Sequence, residues 1–471
     1  MWQFIFTFYG YLVFFYSLAL IMSYIFLIIM AYSYTSRYKR WTLEYVQQMV
    51  ETSPFTPGVS IVAPAYNEGV NIVENVQSLL KQKYPKFEVI IVNDGSKDDT
   101  LEKLINNFSL IEVPYDYVYH INCQPFQRLF RSTDYHYKNL TVVDKKNGGT
   151  KADAVNGGLN VARYPYFINT DSDCILSRDA IYQCIFPVLL NHDIIAVSGT
   201  MSMSNGFELR GDEIVEYKTA NNPLAVFQDL EYKRSFLVGK MGWSNINAMP
   251  NVSGGYGLFN TQVVLAAGGY GFDSFAEDMD MLCRMIRYCC DFGRPYRVVQ
   301  IPHTCCWTEG PSTLKVLYRQ RTRWGRGLIQ LIHQHWRMIL NPKYRNLGMI
   351  TLPYILLFEF MTPIIETVGM VMFIYLVFTG GVNWDTFWVV FTMMYVFAVM
   401  LSQFVVFYDY ILGSSYTKAI SYWKLLAAAI VEPFTYHPII TYCSIRGYLN
   451  YIFRTKASWG AMTRKRYNTG K

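Results

Sequence analysis

Charge is what this 471-residue chain has least of: Asp, Glu, Lys and Arg make up 16% of it, against about 25% in an ordinary soluble domain. From Phe4 to Tyr32 there is no charged residue at all. Disorder needs high charge and few apolar residues, and a composition that is 52% hydrophobic and 17% aromatic excludes it. A protein made wholly of membrane spans is excluded too, because mean hydropathy is only +0.12. No G-x-G-x-x-G follows the first predicted strand and no Walker loop occurs, which sets aside the usual dinucleotide and nucleoside triphosphate sites. The nine cysteines lack the C-x2-C spacing of zinc centres. Adjacent pairs such as Cys289-Cys290 and Cys305-Cys306 therefore read as buried reduced thiols of a cytoplasmic domain. Internal repeats and low-complexity segments are also missing.

What charge there is has an uneven distribution. The formal net charge is +7, but Lys315 to Arg345 carries eight basic residues and Arg454 to Lys471 six, neither stretch containing an acid. Removing those fourteen from the 42 Lys and Arg leaves 28 against 35 Asp and Glu. An acidic body with two basic patches fits phosphate and lipid-headgroup contact at a membrane face, not nucleic-acid binding.

The uncharged run Phe4 to Tyr32 is long enough to span a bilayer. Met1 to Gln3 is not basic, unlike the start of a signal peptide, and Arg37, Lys39 and Arg40 follow the run. The positive-inside rule then places what comes next in the cytoplasm. Met349 to Phe378 and Trp384 to Leu412 read as a hairpin of spans around Gly380, Gly381 and Asn383. Leu425 to Phe453 is interrupted by Glu432, Pro433, His437 and Pro438; it reads either as one kinked span or as a re-entrant or interfacial helix pair, and the second keeps the basic tail inside. Glu359 and Glu366 share a helix face within a span, where an acid marks either function or helix packing. The expected organisation is a span over 1–36, a cytoplasmic domain over 37–313, interfacial amphipathic helices over 314–348, a transmembrane or re-entrant region over 349–453 and a basic tail over 454–471.

In the soluble part, short apolar runs alternate with helical periodicity. Strands are predicted at Val59 to Ala63 (ended by Pro64), Glu88 to Val92, Leu140 to Val143 and Tyr166 to Asn169. Helices are predicted at Val70 to Lys81, Thr100 to Phe108 and Lys151 to Val161. This order implies βαβ units and a mainly parallel sheet, whose ligands bind beyond the carboxyl ends of the strands. Polar clusters follow three of those ends: Tyr66-Asn67-Glu68, Asn93-Asp94-Gly95-Ser96 and Asp171-Ser172-Asp173. Two carboxylates one residue apart in a turn suit a hard divalent ion and the phosphates it bridges, although Asp and Ser are also ordinary turn residues. The segment Tyr115 to Asn139 reads only as an insertion near the crevice.

These clusters, with Pro64-Ala65, Ser253-Gly254-Gly255-Tyr256-Gly257, Glu277-Asp278 and Gln320-Arg321-Thr322-Arg323-Trp324, resemble the family-2 glycosyltransferases. The resemblance is to the membrane-embedded synthases related to those of cellulose, chitin, hyaluronan and poly-N-acetylglucosamine, and it runs from about Val59 to Trp324. It implies a Rossmann-like α/β domain of GT-A type flanked by transmembrane helices, in a multi-pass plasma-membrane protein with its catalytic domain in the cytoplasm. It further implies inverting, processive transfer from UDP-N-acetylglucosamine or UDP-glucose to a β-linked polysaccharide threaded through the protein's own spans. Ala63, Tyr66, Glu68, Asp94 and Asp171 would hold the nucleotide, Asp94 accepting from the uracil N3. Lys151 would sit near the phosphates, a role for which Lys145 and Lys146 compete. Asp173, with Asp171, would hold Mg2+ or Mn2+. Asp278 would be the base, beside Glu277; the family usually has Thr where Ala276 stands, which puts one supporting hydrogen bond in doubt. Asp280 reads as a first-turn acid complementing a helix dipole.

If Gln320 to Trp324 is helical, Gln320, Arg323 and Trp324 share a face, whereas Arg321 and Arg323 do not. Arg323 would then meet the leaving diphosphate. Gly254, Gly255, Gln320 and Trp324 would meet the acceptor. Two rivals stand beside this reading. One is single-sugar transfer to a lipid such as polyprenyl phosphate; the other is an inactive membrane assembly partner. Membrane lipids and an unidentified secretion partner complete the implied company.

Overall fold

The computed structural model describes residues 2–38, 43–171, 174–210, 213–413 and 416–455. The strands are β1 (Val59–Ala65), β2 (Phe87–Asp94), β3 (Leu110–Glu112), β4 (Phe126–Ser132), β5 (Leu140–Lys145), β6 (Tyr166–Thr170), β7 (Ile175–Leu176), β8 (Ile194–Met203), β9 (Glu208–Arg210), β10 (Glu213–Glu216), β11 (Tyr256–Asn260) and β12 (Arg297–Thr308). The helices are α1 (Trp2–Tyr38), α2 (Leu43–Thr52), α3 (Ile72–Leu80), α4 (Thr100–Asn107), α5 (Lys151–Val161), α6 (Ala180–Leu190), α7 (Pro223–Lys233), α8 (Met241–Asn245), α9 (Thr261–Ala266), α10 (Glu277–Asp291), α11 (Leu314–His335), α12 (Leu352–Tyr354), α13 (Met361–Thr379), α14 (Trp384–Ile411) and α15 (Ala419–Ile452).

Ten strands form one mixed sheet in the order β3-β4-β5-β2-β1-β6-β11-β8-β12-β7. The run β5-β2-β1-β6 is parallel, so the polar ends of β1, β2 and β6 share one edge, as the alternation of elements predicts. Strand β1 is buried along nearly its whole length, which is why Val59 to Ala63 reads as a continuous apolar run. The strand continues through Pro64 to Ala65, pairing Pro64 with Val92 and Ala65 with Asn93. A missing N–H is tolerated there because pairing with β6 stops at Val62. The Tyr115 to Asn139 segment is more than an insertion: it supplies β4, antiparallel to both β3 and β5. One apolar core lies on each face of the sheet, Val62, Val92 and Phe167 belonging to one and Ile61, Val89 and Ile168 to the other. All nine cysteines are unpaired, and seven are buried.

Among the described residues three helices are long and apolar enough to cross a membrane: Thr7–Tyr38, Leu347–Phe378 and Trp384–Ile411. The predicted pair within Leu425 to Phe453 is instead one unbroken helix, α15, containing both Pro433 and Pro438. Contacts with α7, α11, α13 and α14 along its length hold its turns in line across the two prolines. Buried ion pairs fasten the soluble domain to this layer. Lys233 meets Asp409 at 2.8 Å and Arg234 grips Glu432 and Ser402; beside them Arg321 of α11 binds Glu231 of α7 through two bonds of 2.7 and 2.8 Å, and Tyr436 of α15 donates to the same Glu231 at 2.7 Å. Of the two intraspan acids, Glu366 accepts from Thr441 at 2.7 Å and faces His437 at 2.9 Å, tying α13 to α15.

Candidate active site

The loops after β1 and β2 are laced together by backbone-to-side-chain bonds. Asn67 adopts a positive φ of 55°, tolerable for Asn. Its N–H donates to Ser96 and its side-chain oxygen accepts from the Lys97 N–H. The Glu68 N–H donates to Thr100 Oγ1. Ser96 and Asp94 are thus occupied in the crevice and do not cap α4, whose N-cap is Asp99. Tyr66 leaves its ring half-exposed at this edge. Ala63 is fully buried in the sheet core, so its methyl faces no ligand.

Asp94 lies at the floor of the crevice and is nearly buried. It accepts from Lys145 Nζ at 2.5 Å and from the Gly148 N–H at 3.1 Å. Burial lifts its carboxyl above the usual range, and Lys145 opposes that lift. Lys145 is the fully buried member of the three candidate lysines. It also pairs with Asp153 and donates to the Lys146 carbonyl at 2.9 Å. Lys151, at the start of α5, goes elsewhere: it ion-pairs with Asp171 and donates to the Gly254 carbonyl at 2.6 Å. Burial pulls the Lys151 ammonium down, but Asp171 and Glu277 outweigh it and hold it above its ordinary value.

Gly254 joins the donor and acceptor motifs. Its carbonyl also accepts from Asn169 at 3.1 Å, and its N–H donates to Asp278 Oδ2 at 3.1 Å. Asp278 Oδ1 accepts from the Met279 N–H at 2.9 Å. Both oxygens of the candidate base are therefore oriented by backbone donors at the N-terminus of α10. Gly254, expected to meet the acceptor, thus makes three hydrogen bonds within the protein, and a Cβ on Gly255 would lie 3.4 Å from Asp171 Oδ2. Glu277 is buried beside it; burial pushes its carboxyl up, against the pull of Arg323 3.5 Å away. Asp173 lies outside the described residues. Among the described residues no cluster of three His, Cys, Asp or Glu side chains forms a ready metal cage.

Helix α11 clamps the loop that leads into Asp278. Gln330 accepts from the Phe275 N–H and donates to the Asp273 carbonyl, at 3.0 and 2.7 Å. Arg323 reaches the Phe275 carbonyl at 3.4 Å. Gly327 lies so close to Ala276 that an added Cβ would meet its Cβ at 2.8 Å. At the helix end, His335 meets Asp280 at 3.0 Å, and Arg284 holds the other oxygen at 2.9 Å. Asp280 is thus more than a dipole complement: burial raises its carboxyl, but His335 and Arg284 outweigh that and hold it low. Motif reading missed Gln330 and His335. The spacing Gln320, Arg323, Gly327, Gln330 puts the first of them on the motif's own face and was a usable signal.

On the other side of α11, Arg321 is buried against Glu231 and lies 4.1 Å from the Trp324 ring centroid. One ring face of Trp324 is therefore covered, while the residue remains 37% exposed. Gln320 Oε1 is buried without a hydrogen-bond partner among the described residues. Helices α11 and α15 cross closely, since a Cβ on Gly447 would come within 2.5 Å of the Thr322 carbonyl.

A mixed α/β sheet with acidic strand ends, a backbone-held carboxylate and an Arg-Trp helix beneath it has the architecture of a GT-A nucleotide-sugar transferase. The sequence agrees: residues 60–114 and 125–243 match glycosyl transferase family 2, and residues 213–402 match glycosyl transferase family group 2. The chain thus carries glycosyltransferase family 2 sequence across both matched stretches. It is 27% identical over 303 residues to the poly-β-1,6-N-acetyl-D-glucosamine synthase of Staphylococcus epidermidis, covering 64% of this chain and 60% of that one. The Staphylococcus aureus synthase of the same name is 26% identical over 302 residues, with the same coverage. The alignment thus spans about three-fifths of those relatives. Among solved structures, the fold resembles a mannosyltransferase from Pyrobaculum calidifontis in complex with GDP-mannose and Mn2+. The TM-score is 0.51 at 16% identity, over 91% of this chain and all of that one.

Proposed function

We propose that this chain transfers a sugar, with inversion, from UDP-N-acetylglucosamine or UDP-glucose to the end of a growing β-linked polysaccharide, and passes the product through its membrane helices. The observation that carries the reading is Gly254: the N–H and C=O of this one residue connect the Lys151–Asp171 pair, read as the donor edge, to Asp278, read as the acceptor edge. In the reaction, Asp278 removes the proton of an acceptor hydroxyl as that oxygen bonds to the anomeric carbon. The carbon–oxygen bond to the diphosphate breaks on the opposite face, and UDP departs with the electron pair. Asp94 accepts from the uracil N3 and Tyr66 lies against the base, while Lys151 and Arg323 offset diphosphate charge. Asp171 at a strand end, with Asp173 two residues on, fits the use of one or two carboxylates plus substrate phosphates by Mg2+ or Mn2+; the ion would neutralise charge on the leaving group. Orientation with the catalytic domain in the cytoplasm follows from Arg37, Lys39 and Arg40 after the first span.

The test supplies membrane vesicles containing the protein with labelled UDP-sugars one at a time, with and without Mg2+ or Mn2+, and sizes the product. A divalent-dependent polymer of increasing length is expected. A single sugar on a lipid would overturn the polymerase reading, no incorporation from any UDP-sugar would overturn the transfer reading, and incorporation without divalent ion would overturn the role given to Asp171 and Asp173.

A further inference from the structure

A second concave site lies where the first span meets the far edge of the sheet. Strand β8 runs parallel to β6, because β11 is antiparallel to both, and β12 runs parallel to β8. Their first residues, Ile194 and Arg297, therefore stand at the edge opposite the strand ends that lead into Asp94 and Asp171. There the ends of α1 and α6 close around a cavity of about 190 Å³. Its wall includes Tyr34 and Tyr38 of α1, Phe186 and Leu190 of α6, Asn191 and Arg297. Tyr38 packs edge-on against Phe186, with ring centroids 6.4 Å apart, which seats α1 on α6.

Among the described residues Arg297 is the one charged residue in that wall, and no acid lines it. The Arg297 N–H donates to the Asp193 carbonyl at 2.8 Å. Its half-buried guanidinium has no hydrogen bond or ion pair among the described residues. Asn191 gives its side-chain oxygen to the Asp193 N–H at 2.9 Å, which leaves its amide NH2 as a second donor. A guanidinium beside an amide suits an anionic oxygen group, and the planar Arg fork matches phosphate.

Depth decides which phosphate. Tyr408 of α14 reaches the Ala31 carbonyl at 3.4 Å, and the next residue, Asp409, is the first charge after the apolar run of α14. Tyr34 and Tyr38 follow Ala31 by ~5 and ~10 Å along the helix axis, and the headgroup layer on each side of a bilayer is roughly 5–8 Å deep. Tyrosines gather at that level. Leu190, in the same wall, is 51% exposed, an apolar surface that a free phosphate would leave bare.

We propose that this cavity binds the headgroup phosphate of an anionic bilayer phospholipid, Arg297 and Asn191 donating to its oxygens while Phe186 and Leu190 meet the apolar part of the lipid. The site depends on α1 and α14 being spans, not on the transferase reading, and it lies outside both basic patches of the sequence.

Two experiments on the full chain test it. In the first, the protein is released from micelles holding equal amounts of phosphatidylglycerol and phosphatidylcholine, and bound lipid is read by native mass spectrometry. The wild type should retain phosphatidylglycerol in preference. Arg297→Gln should weaken that binding by about tenfold, the worth of a hydrogen bond to a charged group. Arg294→Gln, which removes the same charge from an exposed position outside the cavity, should bind as the wild type does. No preference in the wild type, no effect of Arg297→Gln, or an equal loss in Arg294→Gln would overturn the proposal. The second uses the unmutated protein in neutral detergent and follows amide hydrogen exchange over residues 188–193 with phosphatidylglycerol, phosphatidylcholine or inorganic phosphate added. Protection by phosphatidylglycerol alone is expected. Protection by inorganic phosphate would assign the cavity to a soluble anion, equal protection by both lipids would show unselective coverage, and no protection would leave the cavity without a lipid; each contradicts the proposal.

Discussion

Replacing Lys145 with Met tests the floor of the nucleotide crevice. The side chain is fully buried and its ammonium is shared between Asp94, Asp153 and the Lys146 carbonyl. Met keeps the volume and removes the charge, leaving two buried carboxylates without their cation. Breaking a buried pair in this way costs about 3–5 kcal/mol, a large share of a stability of about 5–15 kcal/mol. At roughly 2 °C per kcal/mol for a domain of this size, the unfolding midpoint should fall by ~6–10 °C. Function should change in a second, separable way. Burial already lifts the Asp94 carboxyl and Lys145 opposes it; without Lys145 the carboxyl rises further, so less of it is ionised to accept the hydrogen bond proposed from uracil N3. Losing a hydrogen bond to a charged acceptor weakens UDP binding by about ten- to a hundredfold. Raising the pH should restore part of that affinity as Asp94 ionises, whereas the wild type gains little. Calorimetric titration with UDP across pH 6 to 9, beside thermal unfolding, reads both effects. A Met variant that binds UDP like the wild type at neutral pH, or that loses affinity equally at every pH, would refute the reasoning.

Three further outcomes follow from the two sides of α11. Gly327→Ala places a methyl against Ala276; displacing the base loop by even about 1 Å should lower transfer by about a hundredfold with UDP affinity retained, and equal loss of both would show a general folding defect instead. Asp280 is held low by His335 and Arg284, so its stabilising contribution is present above the unfolded value near 3.9 and is lost as pH falls through the lower folded value. The gap in unfolding midpoint between wild type and Asp280→Asn should therefore be full at pH 7 and close below about pH 4; a constant gap would contradict the ion triad. Glu231→Leu leaves Arg321 buried and unpaired and should cost about 3–5 kcal/mol, most of it regained in the Glu231→Leu, Arg321→Met double variant; a double variant as unstable as the single would mean the pair does more than satisfy itself.

Much of the site is legible in the sequence because its geometry is local. Strand ends are marked by a change from apolar runs to Asn, Asp and Ser, and a parallel sheet brings those ends together. Gln320, Arg323 and Trp324 share a face simply by helical spacing. What sequence reading missed is set by partners distant in the chain. Three adjacent candidates, Lys145, Lys146 and Lys151, look alike in sequence; only the register of β5 beside β2 turns Lys145 inward to Asp94. Pro64 reads as a strand breaker because nothing local tells that pairing with β6 has already ended. Likewise Pro433 and Pro438 divide a helix on paper, and contacts with α7, α11, α13 and α14 keep it whole. Strand β12 was missed because Pro302 and His303 break its alternation and its register against β8 shifts repeatedly.

The central claim is that Asp278, oriented by the Gly254 and Met279 N–H groups, takes the acceptor proton. Asp278→Asn preserves the shape and removes the base. Measured with the donor that the wild type incorporates, its transfer rate should fall by about a hundred- to ten-thousandfold while calorimetric UDP affinity stays at the wild-type value. An Asn variant that still extends polymer at near the wild-type rate would contradict the account.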